Sequence, residues 1–436
     1  MVMIARVRLW GRDIGAVSLD DGGEVAAFQY TPDFARSGIQ VSPIVMPLGP
    51  QVWQFPALPR RTFHGLPGLL ADSLPDKFGN ALIDAWLARQ GRTPAEFSAV
   101  DRLCYTGTRG MGALEFAPTL GPRPQKPSKI DLDALVSLAS EVLASRDALS
   151  GNFQPKSREK ALNDILRVGT SAGGARAKAV IAWNPKTEEV RSGQVRAGED
   201  FEYWLLKFDG VKGNKDKELD DPKGFGAIEY AYHLMAKAAG ITMSECRLLE
   251  ENGRRHFMTK RFDRLPDGEK LHMQSLGALA HYDFNAAGAH SYEQALLVMR
   301  QLHLPPDQVE QQFRRMVFNV VARDQDDHVK NIAFLMDRAG TWSLSPAFDV
   351  CYSYNPSGEW TATHQMTING KRDKFTRDDF AACAEVGFLK KSRINAITDE
   401  VIAAVTRWPE FAAAAKVADE TTSAIGRAHR LEISAA

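Results

Sequence analysis

Asp324, Asp326, Asp327, His328, Lys330 and Asn331 stand together in VARDQDDHVKNIAFLMD (Val321–Asp337), and the chain is strongly apolar on both sides of them. A solvated turn between a helix and a strand needs only one or two such residues. The alternative is a loop that holds a divalent cation through carboxylate and amide oxygens and takes a proton on a carboxylate. The loop by itself leaves both readings open.

Phosphoryl transfer to a hydroxyl asks for this set of groups. One carboxylate orients the attacking hydroxyl and accepts its proton, while an amide oxygen and a second carboxylate hold magnesium against the phosphates. Protein kinases take the first two from D-x-x-x-x-N and the third from an aspartate beyond a short hairpin. Asp326 and Asn331 have that spacing, whereas Asp324 and Asp327 miss it by two residues and by one. Asp349 follows, preceded by Phe348, the reverse of the usual Asp-Phe order. A charged helix-to-strand connection explains the loop alone, and explains it less well once Asp349 is counted.

Three further stretches carry candidate chemistry. EYWLLKFDG (Glu202–Gly210) places Lys207 in an otherwise apolar strand. A buried ammonium is costly unless paired, and a phosphate together with a helix carboxylate would neutralise it. Snorkelling from the strand end is the alternative. Glu229, beside the inner face of AIEYAYHLMAKAAG (Ile228, Ala231, Tyr232, Met235, Ala239), is its candidate partner, unless it is simply solvated. VGTSAGGARAKAVIAW (Val168–Trp183) is a glycine-rich turn running into a strand, where backbone amides could approach phosphate oxygens closely. It matches neither G-x-x-x-x-G-K-[ST] nor G-x-G-x-x-G, and glycine-rich hairpins are common. HFMTKRFDR (His256–Arg264) is an apolar strand passing into charge that could grip an adenine through its backbone.

The elements that must position these groups are legible from periodicity. DQVEQQFRRMVFNVVA spaces Val309, Phe313, Met316, Val317, Val320 and Val321 as one face of a buried helix, with Asp307 expected to cap its start. NIAFLMDRAGTWSLSP reads as two short strands joined at Arg338–Gly340, and AFDV then brings in Asp349. The N-terminal region is strand-rich, a helix is expected after Pro75 with Gly91 as its stop, Ala117–Lys129 is the linker candidate, and the chain from about Arg377 is mainly helical.

Bulk properties narrow the class without naming it. With 436 residues, 44% hydrophobic and 25% charged, the chain is of ordinary globular composition and long enough for two or three domains. Lys+Arg and Asp+Glu are both 54, so net charge drives it toward neither nucleic acid nor membrane. Cys104, Cys246, Cys351 and Cys383 form no C-x-x-C pair, which argues against a zinc module or disulfide framework and suits a reducing cytoplasm. No signal peptide or membrane-length apolar run is visible.

Taken in order, these stretches resemble the HipA family, the serine/threonine-kinase toxins of bacterial type II toxin–antitoxin modules. GLLADSLPDKFGN and YTGTRGMGALEF look like the family's N-terminal subdomain, TSAGGARAKAV its ATP-contacting loop, KRFDR its hinge, and DDHVKN with FD its catalytic core. The resemblance implies an α+β, protein-kinase-like bilobal fold. An added N-terminal strand-rich subdomain would span 1–125, the ATP-binding core 126–265, and a mainly helical C-terminal lobe 266–436. It implies Asp326 as catalytic base and Asn331 and Asp349 as ligands of Mg2+. ATP would meet Gly173, Gly174, Ala175, Arg176, Ala177 and Lys178 of the loop, Lys207, Lys260, Arg261 and Phe262 of the hinge, and His328, Lys330, Asn331, Phe348 and Asp349. Ser171 aligns with an autophosphorylation serine. The implied partners are a HipB-like helix-turn-helix antitoxin, operator DNA through it, and a protein substrate in translation such as an aminoacyl-tRNA synthetase. Competing expectations are a lipid or small-molecule kinase, and a non-catalytic pseudokinase acting as corepressor.

Overall fold

A computed structural model describes residues 3–121, 130–144, 164–166, 169, 176–194, 197–211, 224–265 and 268–434. The described chain is α+β, with three antiparallel-paired sheets, and it separates into two compact units. The first takes Met1–Val41, Met46–Gly226 and Arg247–Met273; the second takes Ser42–Val45, Ala227–Cys246 and Gln274–Ala436.

The first unit begins with the strands β1 (Met3–Leu9), β2 (Arg12–Leu19), β3 (Ala27–Tyr30), β4 (Val52–Trp53) and β5 (Leu114–Ala117), in the spatial order β4-β3-β2-β1-β5. Alternation decides which side faces inward: Ala5, Val7 and Leu9 are buried while Ile4 is exposed. Trp10 and Gly11, at φ 51° and 80°, make the two-residue turn between β1 and β2. Both central residues of such a turn need the left-handed region, which suits the twist of the strands. Trp10 is held there by its indole N–H donating to the Lys270 carbonyl at 2.6 Å.

The same unit carries a second sheet in the order β7-β6-β8-β10-β9, made of β6 (Lys178–Trp183), β7 (Val190–Ser192), β8 (Glu202–Lys207), β9 (Cys246–Glu251) and β10 (Arg254–Lys260). The helix Lys77–Ala88 starts at Asp76, whose carboxylate caps it by accepting from the Gly79 N–H at 2.6 Å. Phe78, Leu82, Tyr105, Leu135, Trp204 and Leu206 belong to one buried cluster joining this helix to the second sheet.

In the second unit the helix Phe225–Ala238 buries Ile228, Ala231, Tyr232 and Met235, and Gly240 follows at φ 79°. A three-stranded sheet, β11 (His272–Ser275), β12 (Ala333–Met336) and β13 (Trp342–Leu344), is ordered as numbered. The helix Pro306–Ala322 packs against the helix Lys391–Thr406. Its buried face contains the six expected apolar residues. Its start differs from expectation: Pro305 is the cap and offers no side-chain bond, while Asp307 lies in the first turn. There its charge complements the helix dipole instead of capping an N–H. Residues near 430 return to this helix: Arg323 Nε donates to the Ala428 carbonyl at 2.8 Å, and the Arg430 N–H donates to the Val321 carbonyl at 2.9 Å. No helix among the described residues is long and apolar enough to cross a membrane.

Candidate active site

The helix Pro306–Ala322 ends where Arg323 enters the left-handed region at φ 60°. The N–H groups of Arg323 and Asp324 both return to the Asn319 carbonyl, so the chain turns sharply into the polar loop. The Ser353 hydroxyl then holds the loop. Its Oγ accepts from the N–H groups of Gln325 at 2.6 Å and Asp326 at 2.9 Å, and it donates to Asp324 Oδ1 at 3.2 Å. That uses the full bonding capacity of a hydroxyl.

The three aspartates have three different fates. Asp324 is buried and accepts from the Cys351 N–H and Ser353. Burial, reinforced by the charges of Asp327 and Asp326, pushes its carboxyl well above the usual range. Asp327 is also buried, but accepts from the Tyr292 hydroxyl at 2.8 Å and the Gln365 N–H at 2.8 Å, and its Oδ2 lies 2.8 Å from His364 Nδ1. Burial raises its pKa, yet the neighbouring His364 and these hydrogen bonds outweigh it and leave the carboxyl below its ordinary value. Asp326 keeps a side chain 45% exposed. Its Oδ1 accepts from the Trp360 indole N–H at 2.7 Å. The loop thus turns one carboxylate outward and two inward.

Asn331 bridges back across the loop, its Nδ2 donating to the Asp326 carbonyl at 2.9 Å. With the amide nitrogen so engaged, the side-chain oxygen is the atom left to accept. Asn331, His328, Phe348 and Asp349 line one pocket, together with Asp324 and Asp327. Asp349 adopts φ 56°. A non-glycine residue there stores about 1 kcal/mol or more of strain, and such positions cluster at functional sites. Lys330 Nζ lies 5.1 Å from the Phe284 ring centroid, and the His328 ring 5.7 Å. No group of three or more His, Cys, Asp or Glu among the described residues is placed to hold a metal ion. An asparagine and an aspartate lining one pocket nevertheless suit magnesium, which takes few protein oxygens and completes its octahedron with water and phosphate.

The remaining sequence candidates lie in the first unit. Lys178 and Lys207 are directly opposed across β6 and β8, so both side chains leave the same face of the sheet, and both are buried. Lys178 Nζ is 3.3 Å from Asp76 Oδ2, with each side chain only 3% exposed. Lys207 Nζ lies 5.8 Å from the Phe257 ring centroid. Glu229, in the second unit, is buried and not solvated. The Arg176 guanidinium sits 4.3 Å from the Phe225 ring centroid, and the Ala177 carbonyl accepts from the Phe208 N–H. Lys260 Nζ donates to Glu202 Oε1 at 2.6 Å. Arg261 is turned inward onto Asp263 at 2.6 Å, and its N–H is taken by the Tyr203 carbonyl; Phe262 is half-buried. Ser171, Gly173, Gly174 and Ala175 lie outside the described residues.

Four residues that hold this architecture are not singled out by the sequence: Ser353, Trp360, His364 and Asp76. Each acts on a partner far along the chain. Only Asp76, placed before a helix pattern, could have been suspected, and then as a cap.

Comparison with known proteins bears on both units. Residues 170–408 match a family model described as the HipA-like C-terminal domain, and residues 5–117 match the HipA N-terminal domain. The chain is 24% identical over 372 residues to the Sinorhizobium fredii protein named "Putative kinase Y4mE", covering 79% of this chain and 81% of that one. It is similar in structure to a chain in the complex of Shewanella oneidensis MR-1 HipA, HipB and operator DNA. That match has a TM-score of 0.67 and 16% identity, and covers 97% of this chain and 94% of the other.

Proposed function

This chain belongs to the HipA family, and from that premise we propose that it is an ATP-dependent serine/threonine protein kinase, the toxin of a type II toxin–antitoxin module. The observation that carries the reading is the loop in the second unit. Asp326 is its one outward carboxylate, and the Asp326 carbonyl is tied to Asn331, which shares a pocket with Asp349.

In this mechanism the Asp326 carboxylate receives the proton of a substrate serine or threonine hydroxyl as its oxygen attacks the γ-phosphorus of ATP. The bond from that phosphorus to the bridging oxygen breaks, and ADP leaves. Asn331 and Asp349 would hold Mg2+, whose charge offsets that of the phosphates. Asp324 and Asp327 stay out of the chemistry and hold the loop's shape. In the first unit, Lys178 and Lys207 would offer their ammonium groups to the phosphates, with Gly173–Lys178 as the covering loop and Lys260–Phe262 as the hinge. Phosphorylation of Ser171 would add negative charge beside bound phosphate and disfavour nucleotide. The solved Shewanella complex, which holds HipA with HipB and operator DNA, supports a HipB-like antitoxin as the partner here. The substrate class would be a component of translation.

The test is transfer of labelled γ-phosphate from ATP and Mg2+ into a cell lysate by the purified chain. Label in a discrete protein band is expected, carried on serine or threonine. Label in lipid or small metabolites, or none at all, overturns the reading.

A further inference from the structure

Trp360 touches the outward carboxylate and belongs to none of the motifs discussed above. Its indole N–H donates to Asp326 Oδ1 at 2.7 Å, a short hydrogen bond to a charged acceptor, which is among the stronger polar contacts a side chain makes. A carboxylate that is 45% exposed would otherwise rotate among rotamers, and its two oxygens would exchange places. Holding Oδ1 restrains that rotation and leaves Oδ2 as the oxygen available to a hydroxyl.

The indole is itself braced to the loop it serves. The Trp360 carbonyl accepts from Gln365 Nε2, and that amide also reaches the Gln325 carbonyl at 3.5 Å. Gln325 Nε2 donates to the Thr361 carbonyl at 3.3 Å. Further back, Ser353 holds the Gln325 and Asp326 N–H groups. Both ends of the Asp326–Trp360 contact are therefore anchored to the same few backbone groups.

We infer that Trp360 is a positioning residue for the proton-accepting step, which fixes Asp326 so that a single carboxylate oxygen is presented to the incoming hydroxyl. The inference rests on Asp326 being the base of the proposed kinase. It predicts an effect on turnover and not on nucleotide binding, because Trp360 contributes nothing to the pocket shared by Asn331 and Asp349.

Two measurements test it on the full chain. Trp360→Phe keeps an aromatic ring and deletes the donor; kcat for phosphoryl transfer should fall at least tenfold, with the KM for ATP and the melting temperature unchanged. Parental kcat in that variant overturns the inference and leaves the kinase reading standing. Independently of activity, the Trp360 indole proton resonance in 15N-tryptophan-labelled protein, assigned by its loss in Trp360→Phe, should move upfield in Asp326→Ala while the other indoles hold still. An unmoved resonance overturns the contact itself. If the parent transfers no phosphate, the kinase reading fails, and with it the catalytic role given to Trp360.

Discussion

His364 Nδ1 lies 2.8 Å from Asp327 Oδ2, and both side chains are sealed from solvent. On its other side, the His364 Nε2 meets Arg430, whose guanidinium also pairs with Asp373. The middle of the polar loop is thus joined through one imidazole to Arg430, about a hundred positions later, and through Arg430 to Asp373.

Asp327 makes acid stability predictable. Its carboxyl binds protons less readily in the folded state than its ordinary value of 3.8 implies. It therefore adds stability above about pH 4, which is lost as pH falls through the lower folded value. Asp327→Asn should flatten the acid limb of a urea-midpoint profile between pH 2 and 6. At pH 7 the variant should be less stable by about 3 kcal/mol, as expected when one partner of a buried pair is removed.

His272 has the opposite chemistry and the same sign. It is fully buried, its ring Nε2 is 3.2 Å from the Val41 carbonyl, and burial lowers its pKa from 6.5 to about 4. The unfolded chain binds the proton first, so the stability this neutral ring supplies is complete above pH 6.5 and drains away down to about pH 4. The shift corresponds to about 3 kcal/mol. His272→Gln should remove that slope, measured by chemical denaturation at pH 7 and pH 4.5.

Ser353 supports the loop without touching the pocket. Ser353→Ala leaves the Gln325 and Asp326 N–H groups without their acceptor. A cost of about 1–3 kcal/mol is expected, read as a lower melting temperature. Turnover should fall as the loop relaxes.

Asp326→Ala should abolish phosphate transfer and growth arrest while leaving the circular dichroism spectrum and melting temperature near those of the parent, because this side chain is half in solvent. Asn331→Ala and Asp349→Ala should instead weaken Mg2+-dependent nucleotide binding, measured by calorimetry with and without the ion. Growth arrest by the Asp326 variant at parental strength would separate toxicity from phosphoryl transfer.

Local pattern carried much of this into the sequence. The helix before the loop follows from six apolar residues at intervals of three and four, the hairpin from two short apolar runs about a glycine, and Lys207 from its isolation in an apolar strand. What stayed hidden is contact between distant residues. Nothing in PSGEWTATHQ marks Trp360 as the partner of Asp326, or His364 as that of Asp327, because both pairings depend on how the chain folds back. Spacing to Asn331 singled out Asp326 from Asp324 and Asp327, but the burial of the other two was not legible there. Asp76 read as the start of a helix. Its second role, facing Lys178 across a span of more than a hundred residues, has no local signature.

The return of Ala428 and Arg430 to the end of the helix at Val321–Arg323 has a consequence for synthesis. A nascent polypeptide emerging from the ribosome exposes the end of this helix, just before the DQDDHVKN segment, long before Ala428 and Arg430 exist. Full support arrives only once position 430 has cleared the exit tunnel, so a growth-inhibiting activity would switch on after translation of that region and not during it.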